Sequence, residues 1–198
     1  MQFLNNYLKE NFDVNTPNYK KAKEVIELIE NEFGNCQLVA KTKGDGNCLI
    51  RAILVYLYNS RDKNVMFEIL SGLLDDDEIL KLNCHFTENR NITDEIEDII
   101  IKLCTNVREF IEQKWDYPFD IKEHMVQYIN AIDGLAMKMV MRMFCVNELQ
   151  VWSLNYDETG YLYTYKIDEN TFFKKEITGF KVSLICAQGR CHYSPIIY

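Results

Sequence analysis

The chain has 198 residues, of which 47% are hydrophobic and 26% charged, a composition that excludes a disordered protein and fits one globular domain with its own core. Its formal net charge of −8 leaves no basic surplus to displace counterions from a nucleic-acid backbone, so we expect no nucleic-acid partner. The charge is compatible with a basic protein or peptide partner.

The seven cysteines are an odd number without any CxxC pair, which disfavours both a disulfide framework and a zinc site. They occupy positions 36, 48, 84, 104, 145, 186 and 191. The first residues are too polar for a signal peptide, and no apolar run approaches the length that spans a membrane. We therefore expect no metal, no membrane partner, and a reducing compartment, either the cytoplasm or a host cytosol that receives the protein.

The first two thirds of the chain have helical patterns. Thr16 supplies an N-cap, Pro17 a first helical position, and Gly34 a helix end. The short apolar segment 36–41 predicts a strand that leads into a glycine loop. Residues 48–60 are largely apolar and predict a buried helix.

Later segments predict further helices and then strands. Helices are expected from Thr93 to Trp115, from Asp120 to Ile132 and from Gly134 to Val146. The last third is rich in β-branched and aromatic residues between turn residues, and it predicts strands at 149–156, 160–168, 181–189 and 191–198. This order predicts an α+β (mixed α/β) domain in which a small β-sheet is packed between helices.

A glycine loop precedes the predicted buried helix, in the sequence KGDGNCLIRA at 43–52. Gly44 and Gly46 can take positive φ, and Cys48 falls in the first turn of the helix. Helix N–H groups and the helix dipole stabilise a thiolate there, and the same loop can direct N–H groups at an oxyanion. The alternative is a tight turn followed by a buried structural cysteine.

A reactive thiol needs a base, and the chain offers three histidines. His85 falls in what we expect to be a polar connection, and His124 falls on a predicted helix; ordinary surface or packing roles are expected for both. His192 begins the last predicted strand. An early cysteine at a helix start and a late histidine on a strand is the order found in papain-like cysteine hydrolases.

Two segments carry a family resemblance. GDGNCLIRA at 44–52 resembles the cysteine motif of ovarian-tumour (OTU) cysteine proteases, and GRCHYSPI at 189–196 resembles their histidine motif. Between them, the less specific pattern at 134–152 is similar to that family's glycine, helix and outward strand. The resemblance covers about residues 36–198. It implies an OTU-like, papain-type fold and a single catalytic domain over 1–198, with an N-terminal helical segment at 1–35 and a protease core at 36–198.

The resemblance also implies a chemistry. Cys48 would attack the carbonyl after the C-terminal glycine of ubiquitin or polyubiquitin, and His192 would take the thiol proton and later protonate the leaving amine. Backbone N–H groups of Cys48 and of the turn from Asp45 through Gly46 and Asn47 would hold the oxyanion. Water would then hydrolyse the thioester, and the reaction would need no metal and no organic cofactor.

The chain departs from the family pattern at one position. Many members carry Asp or Asn two residues after the histidine, whereas this chain has Ser194, whose hydroxyl can orient an imidazole but carries no charge. Asp45 is the other catalytic candidate, and its alternative role is to shape the loop. Tyr193 is either a groove residue for a Gly-Gly tail or a sheet aromatic. We expect Arg51 to serve packing and loop anchoring, and Trp152 to serve core packing.

Two other functions stay open. Ser194 favours a catalytically silent OTU-like module that binds ubiquitin, while intact Cys48 and His192 disfavour it. A cysteine hydrolase for another ubiquitin-like modifier is the second alternative. The acidic run Asp75–Glu78 and the helix near Thr93–Trp115 are candidate docking elements, and the alternative for the acidic run is an ordinary solvated face.

Overall fold

The computed structural model describes residues 8–9, 12–34, 37–38, 46–87, 92–114, 135–157, 160–187 and 192–197. The helices in this part of the chain are α1 (Pro17–Phe33), α2 (Cys48–Ser60), α3 (Lys63–Leu70), α4 (Asp76–Thr87), α5 (Asp94–Lys114) and α6 (Leu135–Met143). Its strands are β1 (Gln37–Leu38), β2 (Val146–Asp157), β3 (Gly160–Lys166), β4 (Phe180–Ala187) and β5 (His192–Ile197).

The strands form one mixed sheet in the order β1-β5-β4-β2-β3. β2 and β4 are parallel, and the other neighbouring pairs are antiparallel. Gln37 pairs with Ile197 and Leu38 with Ile196, so β1 itself runs antiparallel to β5, toward the end of the sheet where β5 begins. The early strand therefore joins a sheet built otherwise from the last third of the chain.

Each face of the sheet is covered by helices. The larger core joins helices α2 to α6 to one face, through sheet residues that include Leu149, Val151, Val182, Leu184 and Tyr193. The smaller core joins α1 to the other face, through Trp152, Leu154, Ile185 and Ile196. Strand side chains alternate between the two faces, which explains the division. The predicted α+β domain, with a small sheet packed between helices, is confirmed at this level.

Helix α1 has the boundaries that its sequence predicts. The Thr16 side chain accepts a hydrogen bond from the Tyr19 N–H, and Pro17 is the first helical residue. Gly34 ends the helix with φ 66°, and its N–H donates to the Glu30 carbonyl at 2.9 Å. The buried residues recur at helical spacing, at Ala22, Val25, Ile26 and Ile29.

The acidic run before α4 has a local structural explanation. The Glu78 N–H donates to the Asp75 carboxylate at 3.0 Å, and the Asp75 N–H donates to the Glu78 carboxylate at 3.1 Å, which is a reciprocal N-terminal cap. The Glu78 N–H bond and the nearby Lys102 ammonium hold the pKa of Asp75 below its usual value. These acids also lie at the positive end of the helix dipole.

Several sequence predictions need correction. His85 lies within α4, is only 8% exposed, and contacts Phe86 edge to face, so it is not in a polar connection. The helix expected to run to Val146 ends at Met143, because Cys145 takes a left-handed φ of 55° and β2 then begins. The helix predicted from Asp120 and the site of His124 lie outside the described residues.

A buried ion pair ties α2 to α5. The Arg51 guanidinium donates two hydrogen bonds to the Glu97 carboxylate, at 2.8 and 3.1 Å, and the two side chains are 6% and 12% exposed. This bidentate geometry is the strong form of an arginine–carboxylate pair. This pair anchors helix α2 to helix α5, whereas the sequence led us to expect Arg51 to anchor the loop. Within the described chain, no helix is long and apolar enough to cross a bilayer.

We expect Glu97→Gln to lower the free energy of unfolding by about 3 kcal/mol, because it leaves the buried Arg51 guanidinium without its countercharge. Urea denaturation measures the change. Glu95→Gln is the matched control, since Glu95 lies in the same helix and forms an exposed pair with Lys81 at 2.6 Å. Exposed pairs contribute little, so the control midpoint should stay at the wild-type value. Equal midpoints for the two variants would contradict a stabilising role of the Arg51–Glu97 pair.

Candidate active site

Cys48 is the first residue of α2 and follows a turn that requires glycine. Gly46 has φ 82°, a conformation that residues with a Cβ rarely adopt. Asn47 takes the N-cap position, and its carbonyl accepts the Arg51 N–H at 3.0 Å. Cys48 itself is 8% exposed. The thiol therefore lies at the N-terminal end of a helix, where N–H groups and the helix dipole favour a thiolate.

Helix α2 packs against β5, the strand that begins with His192. Cys48 and Tyr193 belong to the same apolar cluster. The backbone of His192 is opposite Ala187 of β4, so the start of β5 is held in the sheet. The structure thus brings the cysteine helix and the histidine strand into direct contact as two packed elements.

Ser194 and Tyr193 lie on opposite faces of β5. Ser194 is fully buried opposite Ile185, on the face covered by α1, and within the described part of the chain its hydroxyl has no hydrogen-bond partner. Tyr193 is 4% exposed and belongs to the larger core, a position that packing explains. Trp152 is also buried, in the smaller core, as the packing interpretation predicts.

The other predicted loop residues are not all within the described chain. Asp45, Gly44 and Cys191 lie outside it, so the catalytic or loop-shaping role of Asp45 stays a prediction. Gly46 and Asn47 lie in the turn directly before Cys48, where the oxyanion prediction needs them.

Sequence reasoning missed one residue that contacts the cysteine turn. Arg108, on α5, donates from Nη2 to the Gly46 carbonyl at 2.9 Å, across 62 positions of sequence. Glu97, which binds Arg51, is also on α5, about three helical turns earlier. That spacing places Glu97 and Arg108 on one face of the helix. The spacing in the sequence shows that Glu97 and Arg108 share a helix face. The sequence does not show that Arg108 binds the Gly46 carbonyl.

The remaining described cysteines have different environments. Cys84 is exposed on α4, Cys186 is half-buried, and Cys104 and Cys145 are buried. Burial raises the pKa of the Cys145 thiol to about 11. Among the residues that the structure describes, no three or more His, Cys, Asp or Glu side chains are grouped so as to hold a metal ion.

A scan against protein-family models gives no match, and a search of curated proteins gives none at the significance required. The family resemblance therefore rests on the two short motifs that contain Cys48 and His192.

The environments of the thiols predict an order of reactivity toward limiting iodoacetamide at pH 8. Cys48 should react before the exposed Cys84, because the helix N-terminus favours its thiolate. Cys145 should stay unmodified, since about one thiol in a thousand is ionised three pH units below its pKa. Peptide mass mapping over time gives the order. Modification of Cys84 before Cys48 would contradict an activated Cys48.

Proposed function

We propose that the protein is an OTU-type thiol-dependent hydrolase that cleaves isopeptide or peptide bonds after the C-terminal glycine of ubiquitin. One observation carries the proposal. Cys48 follows a left-handed glycine turn and begins a helix that packs on the strand whose first residue is His192. Papain-like hydrolases require a cysteine at a helix N-terminus and a histidine from a distant strand. The two sequence motifs favour the OTU family among these hydrolases.

The proposed reaction proceeds through a thioester. His192 takes the proton of the Cys48 thiol, and the thiolate attacks the carbonyl carbon of the scissile bond. The resulting oxyanion accepts hydrogen bonds from the N–H of Cys48 and from the turn that contains Gly46 and Asn47. Collapse expels the lysine amine, which receives its proton from His192. Water, deprotonated by His192, then hydrolyses the thioester.

Ser194 is the proposed orienting group for His192, with Asp45 as the alternative. Ser194 lies two positions after His192 on the same strand. Its fully buried hydroxyl, without a partner among the described residues, is available to accept an imidazole N–H. A neutral hydroxyl orients the ring without stabilising its charge, which agrees with a supporting role.

Ubiquitin or polyubiquitin is the proposed partner, and the surface between α4 and α5 is the proposed docking element. Lys81 pairs there with Glu95, and Lys102 pairs with Glu78 and Asp75. The acids outnumber the lysines, which suits a partner whose apolar recognition face is flanked by basic residues. We propose a reducing cytoplasm, or a host cytosol, as the compartment, and a reaction without metal or organic cofactor.

A ubiquitin probe with a thiol-reactive C-terminal group tests the proposal, with intact mass as the readout. We expect one ubiquitin adduct on the wild-type protein and none on Cys48→Ala. Cys84→Ala is the matched control, because Cys84 is an exposed cysteine and its removal should leave the adduct unchanged. An adduct that persists in Cys48→Ala would contradict the assignment of the nucleophile.

The same experiment separates the two alternatives. A folded wild-type protein that binds ubiquitin but forms no adduct would be the silent OTU-like module. A protein that ignores the ubiquitin probe, while Cys48 reacts with iodoacetamide and with another modifier's probe, would be a hydrolase for that ubiquitin-like modifier.

We also expect His192→Ala to lower kcat/KM by about 10²- to 10⁴-fold, the usual contribution of a general base. Ser194→Ala should lower kcat/KM by about fivefold, the equivalent of one neutral hydrogen bond. Steady-state hydrolysis of a fluorogenic ubiquitin amide measures both. Equal losses would show that Ser194 is essential to orienting His192 rather than a supporting group.

A further inference from the structure

We infer that Arg108 is a positioning residue that locks the peptide between Gly46 and Asn47, and with it the direction of the Asn47 N–H. The locking itself follows from the contacts of Arg108. Its consequence for catalysis rests on the proposed function, in which this turn binds the oxyanion.

Arg108 binds the backbone of the cysteine turn through one hydrogen bond. Arg108 Nη2 lies 2.9 Å from the Gly46 carbonyl oxygen, and the arginine is half-buried on α5. A trans peptide is planar, so its C=O and N–H groups point in opposite directions. By holding the Gly46 oxygen toward α5, Arg108 directs the Asn47 N–H away from α5. The orientation of a candidate oxyanion donor is therefore set by a side chain from another helix.

The peptide that follows Gly46 is oriented by a contact from outside the turn. Gly46 has φ 82° and no Cβ, so it has no side chain of its own to restrain that peptide. A hydrogen bond from a guanidinium to a carbonyl is charge-assisted and stronger than one between neutral groups. Arg108 thus supplies from a distance the restraint that the glycine lacks.

The helix that carries Arg108 is itself held against α2. Glu97 of α5 binds Arg51 in the first turn of α2 through two hydrogen bonds. α5 therefore contacts the cysteine segment at two points, one before Cys48 and one after it. Oxyanion donors are effective when they are fixed before the reaction, and this two-point attachment supplies that rigidity.

NMR tests without any substrate whether Arg108 fixes the orientation of the peptide between Gly46 and Asn47. In ¹H–¹⁵N spectra we expect the Asn47 amide resonance of Arg108→Met to shift or to broaden through microsecond–millisecond exchange, while resonances of β3 keep their positions. Arg108→Lys, which retains a charged donor, should show a smaller change. An Asn47 resonance identical in wild type and Arg108→Met would overturn the inference. If Arg108→Met fails to fold, Arg108→Gln carries the same comparison.

Arg61→Met is the matched control for loss of an arginine. Arg61 lies just beyond the other end of α2, about 20 Å from Cys48 along the helix axis, with its guanidinium 4.3 Å from the Phe180 ring centre. We expect the Asn47 resonance to be unchanged in this variant. A shift of the Asn47 resonance equal to that in Arg108→Met would show a general effect of charge and would overturn the inferred role of Arg108.

Kinetics then test the catalytic consequence. We expect Arg108→Met to lower kcat for ubiquitin amide hydrolysis by about 10- to 100-fold with an unchanged KM, because one oxyanion donor is misdirected. Alkylation of Cys48 by iodoacetamide should keep its wild-type rate, since that displacement forms no oxyanion. Parallel losses of hydrolysis and alkylation would overturn an oxyanion role, as would undiminished hydrolysis. Absence of hydrolysis in the wild type would instead overturn the proposed function. The NMR result would still decide whether Arg108 orients the peptide between Gly46 and Asn47.

Discussion

The burial of helix α2 in the core fixes the position of Cys48 relative to the sheet. Of its 13 residues, nine are buried, and they pack against β5 on one side and toward α5 on another. Cys48 is the first of these residues, so the helix fixes where its thiol lies. In the proposed reaction, a cysteine in an unrestrained loop would have to be ordered at each turnover, whereas packing of the core already orders Cys48.

The sheet gives the same region its second fixed element. β5 lies between β1 and β4 and is antiparallel to both. Alternation along β5 sends Tyr193 to the core of α2 and Ser194 to the core of α1. Side chains of the histidine motif therefore face both cores. This arrangement explains why aromatic and small buried residues alternate along the strand, and it leaves the buried Ser194 hydroxyl without a partner among the described residues.

Local signals predicted much of this fold. Capping residues predicted both ends of α1, and the apolar content of residues 48–60 predicted α2 as a buried helix. These predictions were possible because capping and helical periodicity depend on residues close together in the sequence. Long-range partners were not predictable. The Arg108–Gly46 bond joins residues 62 positions apart, and only the packing of α5 brings them together. His85 was misplaced because a polar-looking segment proved to be a capped helix with a buried face.

The pH dependence of Cys48 alkylation tests whether His192 pairs with Cys48. The rate of iodoacetamide modification, followed at Cys48 by peptide mass, is measured from pH 4 to 10 in the wild type and in His192→Ala. We expect an apparent pKa of Cys48 well below the ordinary thiol value of about 8.5 in the wild type, and a higher apparent pKa in His192→Ala. The same apparent pKa in both proteins would contradict it.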